Sequence, residues 1–306
     1  MKQTKAAYLL LLVSILGVSC SNIFARFSLV PSMTLATLRM LITMVLFSAG
    51  LLVRGTLGQM LRGMSRRHLV WCAVTGLIFA LHLAFSFEAV RNTSIAAGSV
   101  LLSTEVIFVA LGGLAVGSRI DRTSWALILI AFAGSAVVAF ASSTGGSGPR
   151  PLYGCTMAVV SSILGAVYTL ISSKLRGEGL STTSYTYVMY GFCALALIGL
   201  DLVQKAPVLM VPAREYLIAL GLAVCSTFLG HSLFSYCLKF LHPAHVSAGK
   251  LLIPVASGIA AIPLFGEVPP PLALAGCAVV MVTILIYTLR DARAREAEEK
   301  ARAQCP

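Results

Sequence analysis

Three residues of this 306-residue chain carry charge inside runs that are otherwise apolar: Arg39, Glu105 and Lys250. Two histidines sit in comparable surroundings, His82 in FALHLAFSF (79–87) and His231 in FLGHSLFSY (228–236). Asn22 closes the set, late in the first apolar run. Their chemistry is specific. A guanidinium or an ammonium holds an anion. A carboxylate takes up or releases a proton, and an imidazole does so near neutral pH. Metal chemistry is not suggested. The eight cysteines form no CxxC and none stands with His at ligand spacing. Most lie in apolar runs, where Cys behaves as a small hydrophobe.

The elements that must position these residues are membrane helices. Hydrophobic residues make up 58% of the chain and charged ones 11%, with a mean hydropathy of +0.91. Soluble domains average about 45–50% apolar and about 25% charged. About 20 apolar residues cross a bilayer as a helix. Ten such runs lie between charged or Gly/Pro-rich breaks: 6–26, 32–53, 69–90, 95–117, 123–141, 152–173, 183–204, 215–239, 245–265 and 271–289. Lys2 and Lys5 before the first run, with GVSC ending at Cys20, mimic a signal peptide. The run continues through Ile23 and Phe24, so it reads as an uncleaved first span.

Lys and Arg set the orientation. With a cytoplasmic N-terminus, sixteen of the 23 fall inside and five outside, while Arg39 and Lys250 lie within spans. Both termini are then cytoplasmic. The expected location is a bacterial inner (plasma) membrane. The net charge of +12 resides mainly in short loops and the tail RDARAREAEEKARAQ, without interleaved aromatics. No nucleic-acid surface is expected.

The two histidine stretches match at Phe79/Phe228, His82/His231, Phe85/Phe234 and Ser86/Ser235, an offset of 149 residues. IAAGSVLL (95–102) likewise resembles VSAGKLLI (246–253), at offset 151. Each half would hold five spans. Five is odd, so the second half enters the membrane inverted. The expected fold is an all-α integral membrane protein of ten transmembrane helices in two inverted five-helix repeats, 1–145 and 146–290, with a charged cytoplasmic tail at 291–306. Such repeats exchange roles in alternating access, with the substrate site near the bilayer midplane.

Several motifs carry a family likeness: Ser21-Asn22, PSMTLATLRM with Arg39, TSIAAGSVLL, LGHSLFSYCLKF, LLIPVASGIAAIPLFGE ending at Glu267, and LALAGCAVVMVTILIY. With these the chain resembles the EamA-type, ten-span transporters of the drug/metabolite transporter superfamily. It departs from their pattern in the first half. Glu105-Val106 stands where the family shows an acid followed by proline, and Ser118-Arg119 where it shows Gly-Glu. The resemblance implies an exporter of amino acids or other small organic metabolites, with no cofactor, acting as a monomer or homodimer.

Depth refines the site. Arg39 and His82 fall about 12 Å and Glu105 about 15 Å from the outer surface. Each of Arg39, Glu105 and Lys250 would cost about 2.5–3.5 kcal/mol unpaired at a helix centre. An Arg39–Glu105 ion pair is therefore expected. Glu105 and His82 are the proton-coupling candidates. The expected substrate or cavity set is Asn22, Arg39, His82, Glu105, His231 and Lys250. Plainer roles stand beside these: helix–helix hydrogen bonds for the histidines, a structural arginine, and a lysine that snorkels to the cytoplasmic surface. Pro254 is expected to leave the Lys250 carbonyl free. Glu88 and Asp201 read as interfacial, Glu267 as a cap on the last span, and Tyr185, Tyr187 and Tyr190 as belt residues.

Other classes explain less. His82 and Glu88 are six residues apart and do not share a helix face as HExxH ligands do. There is no GxSxG and no phosphate loop. An intramembrane enzyme remains the rival reading, as does an importer or exchanger of the same fold. The expected partners are a small-molecule substrate and the lipid bilayer.

Overall fold

The computed structural model describes residues 2–58, 64–114, 121–144, 148–206, 210–233, 237 and 250–304. The helices are α1 (Lys2–Phe27), α2 (Ser32–Val53), α3 (Arg66–Asn92), α4 (Ile95–Ser103), α5 (Glu105–Leu114), α6 (Arg122–Thr144), α7 (Pro151–Gly177), α8 (Thr182–Val203), α9 (Ala213–Gly221), α10 (Leu252–Phe265) and α11 (Pro271–Gln304). A π-helical segment, Leu222–Ser232, continues α9. Among the described residues there is no strand. Hydrocarbon offers no water to satisfy backbone groups, so each apolar run closes its own hydrogen bonds as a helix.

Nine helical stretches among the described residues are long and apolar enough to span a bilayer, and Leu252–Phe265 is a shorter apolar helix. The chain is an all-α, multi-pass membrane protein. Its outward side chains suit lipid: Leu9, Val45, Leu129, Leu195, Leu217 and Ile259 are exposed. The first residues expected for the ninth span, 245–249, lie outside the described ones.

Local signals set the helix ends. Ser65, Ser94 and Ser181 cap α3, α4 and α8 by accepting from the amides of His68, Ala97 and Ser184. Gly266, at φ +66°, stops α10 in the left-handed region. Thr104 interrupts the fourth expected span, so Glu105 opens α5. Pro254 falls in the first turn of α10, where no intrahelical N–H partner is lost. At the far end, Asp121 accepts from the Ser124 amide and pairs with Arg290. Hydrogen bonding from Ser124 holds its carboxyl below the usual carboxylate range.

The two larger of three apolar clusters among the described residues hold the bundle. One joins Leu35 and Met40 of α2, Phe79 and Phe87 of α3, and Met189 and Leu197 of α8. The other joins Ile107, Ile128 and Val138 to Val280 and Ile284. Both mix residues from the two halves of the chain, so neither half completes its core alone. Close approaches rely on missing side chains. A Cβ on Gly76 would stand 2.8 Å from the Met189 carbonyl oxygen and 2.9 Å from the Cys193 amide nitrogen. One on Gly17 would stand 2.6 Å from the Cys225 carbonyl oxygen, which seats α1 against the π segment.

Candidate functional site

Glu105 and His82 meet around Gly165. The Thr169 hydroxyl, on α7, donates to Glu105 Oε1 at 2.8 Å. A Cβ on Gly165 would lie 2.7 Å from Glu105 Oε2 and 3.1 Å from His82 Cε1. The two groups thus crowd one point that only glycine leaves open. His82 Nδ1 lies 2.8 Å from the Ser161 carbonyl oxygen. A carbonyl only accepts, so Nδ1 carries a proton and donates to it. The Ser161 hydroxyl donates back to the His82 carbonyl at 2.9 Å, pinning α3 to α7.

Lys250 belongs to the same group. Its ammonium interacts electrostatically with Glu105.

Arg39 does not pair with Glu105. It is 4% exposed, and its Nη2 donates to the Ser226 hydroxyl at 3.1 Å and reaches the Thr227 hydroxyl at 3.5 Å. Its guanidinium lies 5.8 Å from the Phe87 ring centroid. Equal depth placed the two charges in one layer, but the rotation of α2 turns Arg39 toward the π segment. Glu105 instead faces α7. Aromatic rings separate the two polar groups. Phe79 stacks on His82 at 5.8 Å and on Tyr190 at 5.7 Å, and meets Tyr168 at 5.0 Å.

Asn22 ties three helices, donating to Ser99 at 2.7 Å and to Ser257 at 3.2 Å. The His231 side chain lies outside the described residues.

One end of the bundle is latched by ionic groups absent from the expected site. Glu267 Oε1 pairs with Arg26, and its Oε2 accepts from the Ile95 amide at 2.8 Å. It caps α4, correcting the expectation of a cap on the last span. Arg26 also donates to the Val90 and Arg91 carbonyls. Glu215, 1% exposed, accepts from the Ser28 hydroxyl at 2.6 Å. Arg91 donates to the carbonyls of Ser28 and Val30, and Glu88 accepts from Ser32 at 2.6 Å. Asp201 is fully buried and accepts from Thr34 and Thr37. Tyr185 and Tyr190 are buried and form no belt, while the half-buried Tyr187 bonds Ser48 at 2.9 Å. The motif ending in Glu267 signalled a role in sequence, but its partners are 172 and 241 residues away.

A multi-pass helical bundle with ionic and aromatic groups gathered inside its spans is a polytopic membrane protein with a polar interior. Residues 152–289 match the EamA-like transporter family. The second half of the chain is thus similar to the EamA-like transporters. It is 25% identical to an uncharacterized transporter of Archaeoglobus fulgidus, over 73% of this chain and 76% of that one. A probable terminal-alkyne amino-acid exporter of Streptantibioticus cattleyicolor is also 25% identical, over 76% of each. The human UDP-galactose translocator is 29% identical over 76% of this chain, which spans 61% of that protein. A solved crystal structure, 20% identical, covers 94% of this chain with a TM-score of 0.57, a likeness of fold. These relatives are named as transporters, translocators and an exporter.

Proposed function

We propose that this chain is a secondary exporter of small carboxylated metabolites, amino acids or related compounds, from a bacterial cytoplasm. It works by alternating access between two inverted five-helix repeats, 1–145 and 146–290, with both termini cytoplasmic. The observation that carries the reading is the cluster of Glu105, Thr169, His82 and Lys250 inside the bilayer, bordered by Phe79 and Tyr168. Lys250 takes the carboxylate of an entering solute, and the rings take its apolar part. Glu105, with His82 Nε2 beside it, exchanges a proton and so couples transport to a gradient. Asn22 holds the cavity wall. In this orientation the latch built on Glu267, Arg26 and Glu215 seals the outer end, which makes this the outward-closed state.

The test is uptake and counterflow in proteoliposomes with a metabolite panel, with and without a pH gradient. Carboxylated solutes should exchange, and a gradient should drive net movement outward. Purified protein that moves nothing in a broad panel, or that chemically modifies a member of it, would overturn the reading. Gradient-driven movement only inward would replace export by import.

A further inference from the structure

Arg39 keeps a buried Nε with no hydrogen-bond partner, and so does the Thr43 hydroxyl. The two residues are one helical turn apart on α2, so they share a face. Thr43 is fully buried, and its state is unusual. Buried hydroxyls within these helices commonly bond the carbonyl four residues back, as Thr37, Thr75, Ser135 and Ser172 do. Thr43 does not. Polar atoms taken from water and left unmet cost stability, so a protein that retains two together has a use for them.

We infer that Arg39 and Thr43, with Ser226 and Thr227 across from them, form a binding site for the carboxylate of a small organic anion. The inference rests on the transport reading and adds a second carboxylate site, across the aromatic rings from that of Lys250. Arg39 Nη2 already reaches Ser226 at 3.1 Å, while the adjacent Nε–H is unused. The Nε and Nη2 hydrogens form one planar edge that matches two carboxylate oxygens. A carboxylate oxygen on Nε then also accepts from Thr43. Charge favours a monoanion. Arg39 feels Tyr190 and Cys193, and no carboxylate or second cation among the described residues is coupled to it. A phosphate dianion would lack a second positive partner. Phe87 and Tyr190 border the site and suit an apolar remainder.

Access comes from the opposing wall. Ser226 and Thr227 sit in an 11-residue π-helical segment, a form that is rare and recurs at functional sites. Rewinding it toward α geometry would free the Ser226 hydroxyl from Arg39 Nη2, admit the ligand between them and let Ser226 donate to it.

The test is binding to the purified full-length chain in detergent, read by thermal stabilisation. The probes are sodium butyrate and sodium benzoate, against butyramide, benzamide and sodium chloride at equal ionic strength. Both carboxylates should stabilise the protein, and the amides and chloride should not. Thr43→Val and Ser226→Ala, both near-isosteric, should each weaken carboxylate binding about tenfold. Arg39→Gln should abolish it; if that variant does not fold, the two milder ones decide. Equal stabilisation by amides or chloride, no stabilisation by either carboxylate, or parental affinity in Thr43→Val would overturn the site. Carboxylate binding that depends on Thr43, in a protein that transports nothing, would sink the transport reading and leave the site standing. Transport with Thr43-independent binding would do the reverse.

Discussion

Replacing Glu267 by Gln removes the latch charge and almost nothing else. The glutamine oxygen can still accept from the Ile95 amide, so the cap on α4 is preserved in shape. What is lost is the anion facing Arg26. The two side chains are 16% and 15% exposed, between a surface pair and a buried one. Exposed pairs contribute about 0–1 kcal/mol, and breaking a buried pair costs about 3–5 kcal/mol. Arg26 keeps its bonds to the Val90 and Arg91 carbonyls, which limits the loss. About 2 kcal/mol is the expected weakening, or roughly 30-fold in a two-state opening. The assay is hydrogen exchange by mass spectrometry in nanodiscs. Peptides over 26–32 and 92–98 should exchange roughly 30-fold faster, and peptides within α6 should not change. A cycle with Arg26→Gln should return a coupling of about 2 kcal/mol. Unchanged exchange at both segments together with zero coupling would refute the latch.

Gly76→Ala should lower the melting temperature sharply, because its Cβ meets α8 backbone under 3 Å away and overpacking costs about 1–3 kcal/mol; parental melting would mean the α3–α8 spacing is wrong. Glu105→Gln should uncouple transport from a pH gradient while exchange persists, measured by counterflow in proteoliposomes; intact gradient-driven transport would remove Glu105 from proton coupling. Lys250→Met should lower apparent affinity from the cytoplasmic side for carboxylated solutes and much less for their amides. Equal behaviour of acid and amide in mutant and parent would leave Lys250 to the lipid headgroups.

Most of the membrane architecture was legible because each signal is local. Hydropathy marks a span within its own 20 residues, and Ser94 or Gly266 ends a helix through bonds to its near neighbours. Glu105, His82 and Lys250 stood out because ionisable groups are costly in hydrocarbon, and the structure brings all three together. Thr43 carried no such mark, since threonine is common in helices and its missing bond appears only when neighbours are placed.

The chain's sequence by itself determined that this is a helical membrane protein, where its spans run, and which charges lie inside them. These depend on composition and on periodicity along one axis. Only the tertiary structure decided who partners whom. Depth follows from counting residues at 1.5 Å each, but the direction a side chain faces depends on how its helix is rotated against neighbours from the other half of the chain. That rotation sent Arg39 to Ser226 rather than to Glu105, and folded Glu267 back onto Arg26 and Ile95.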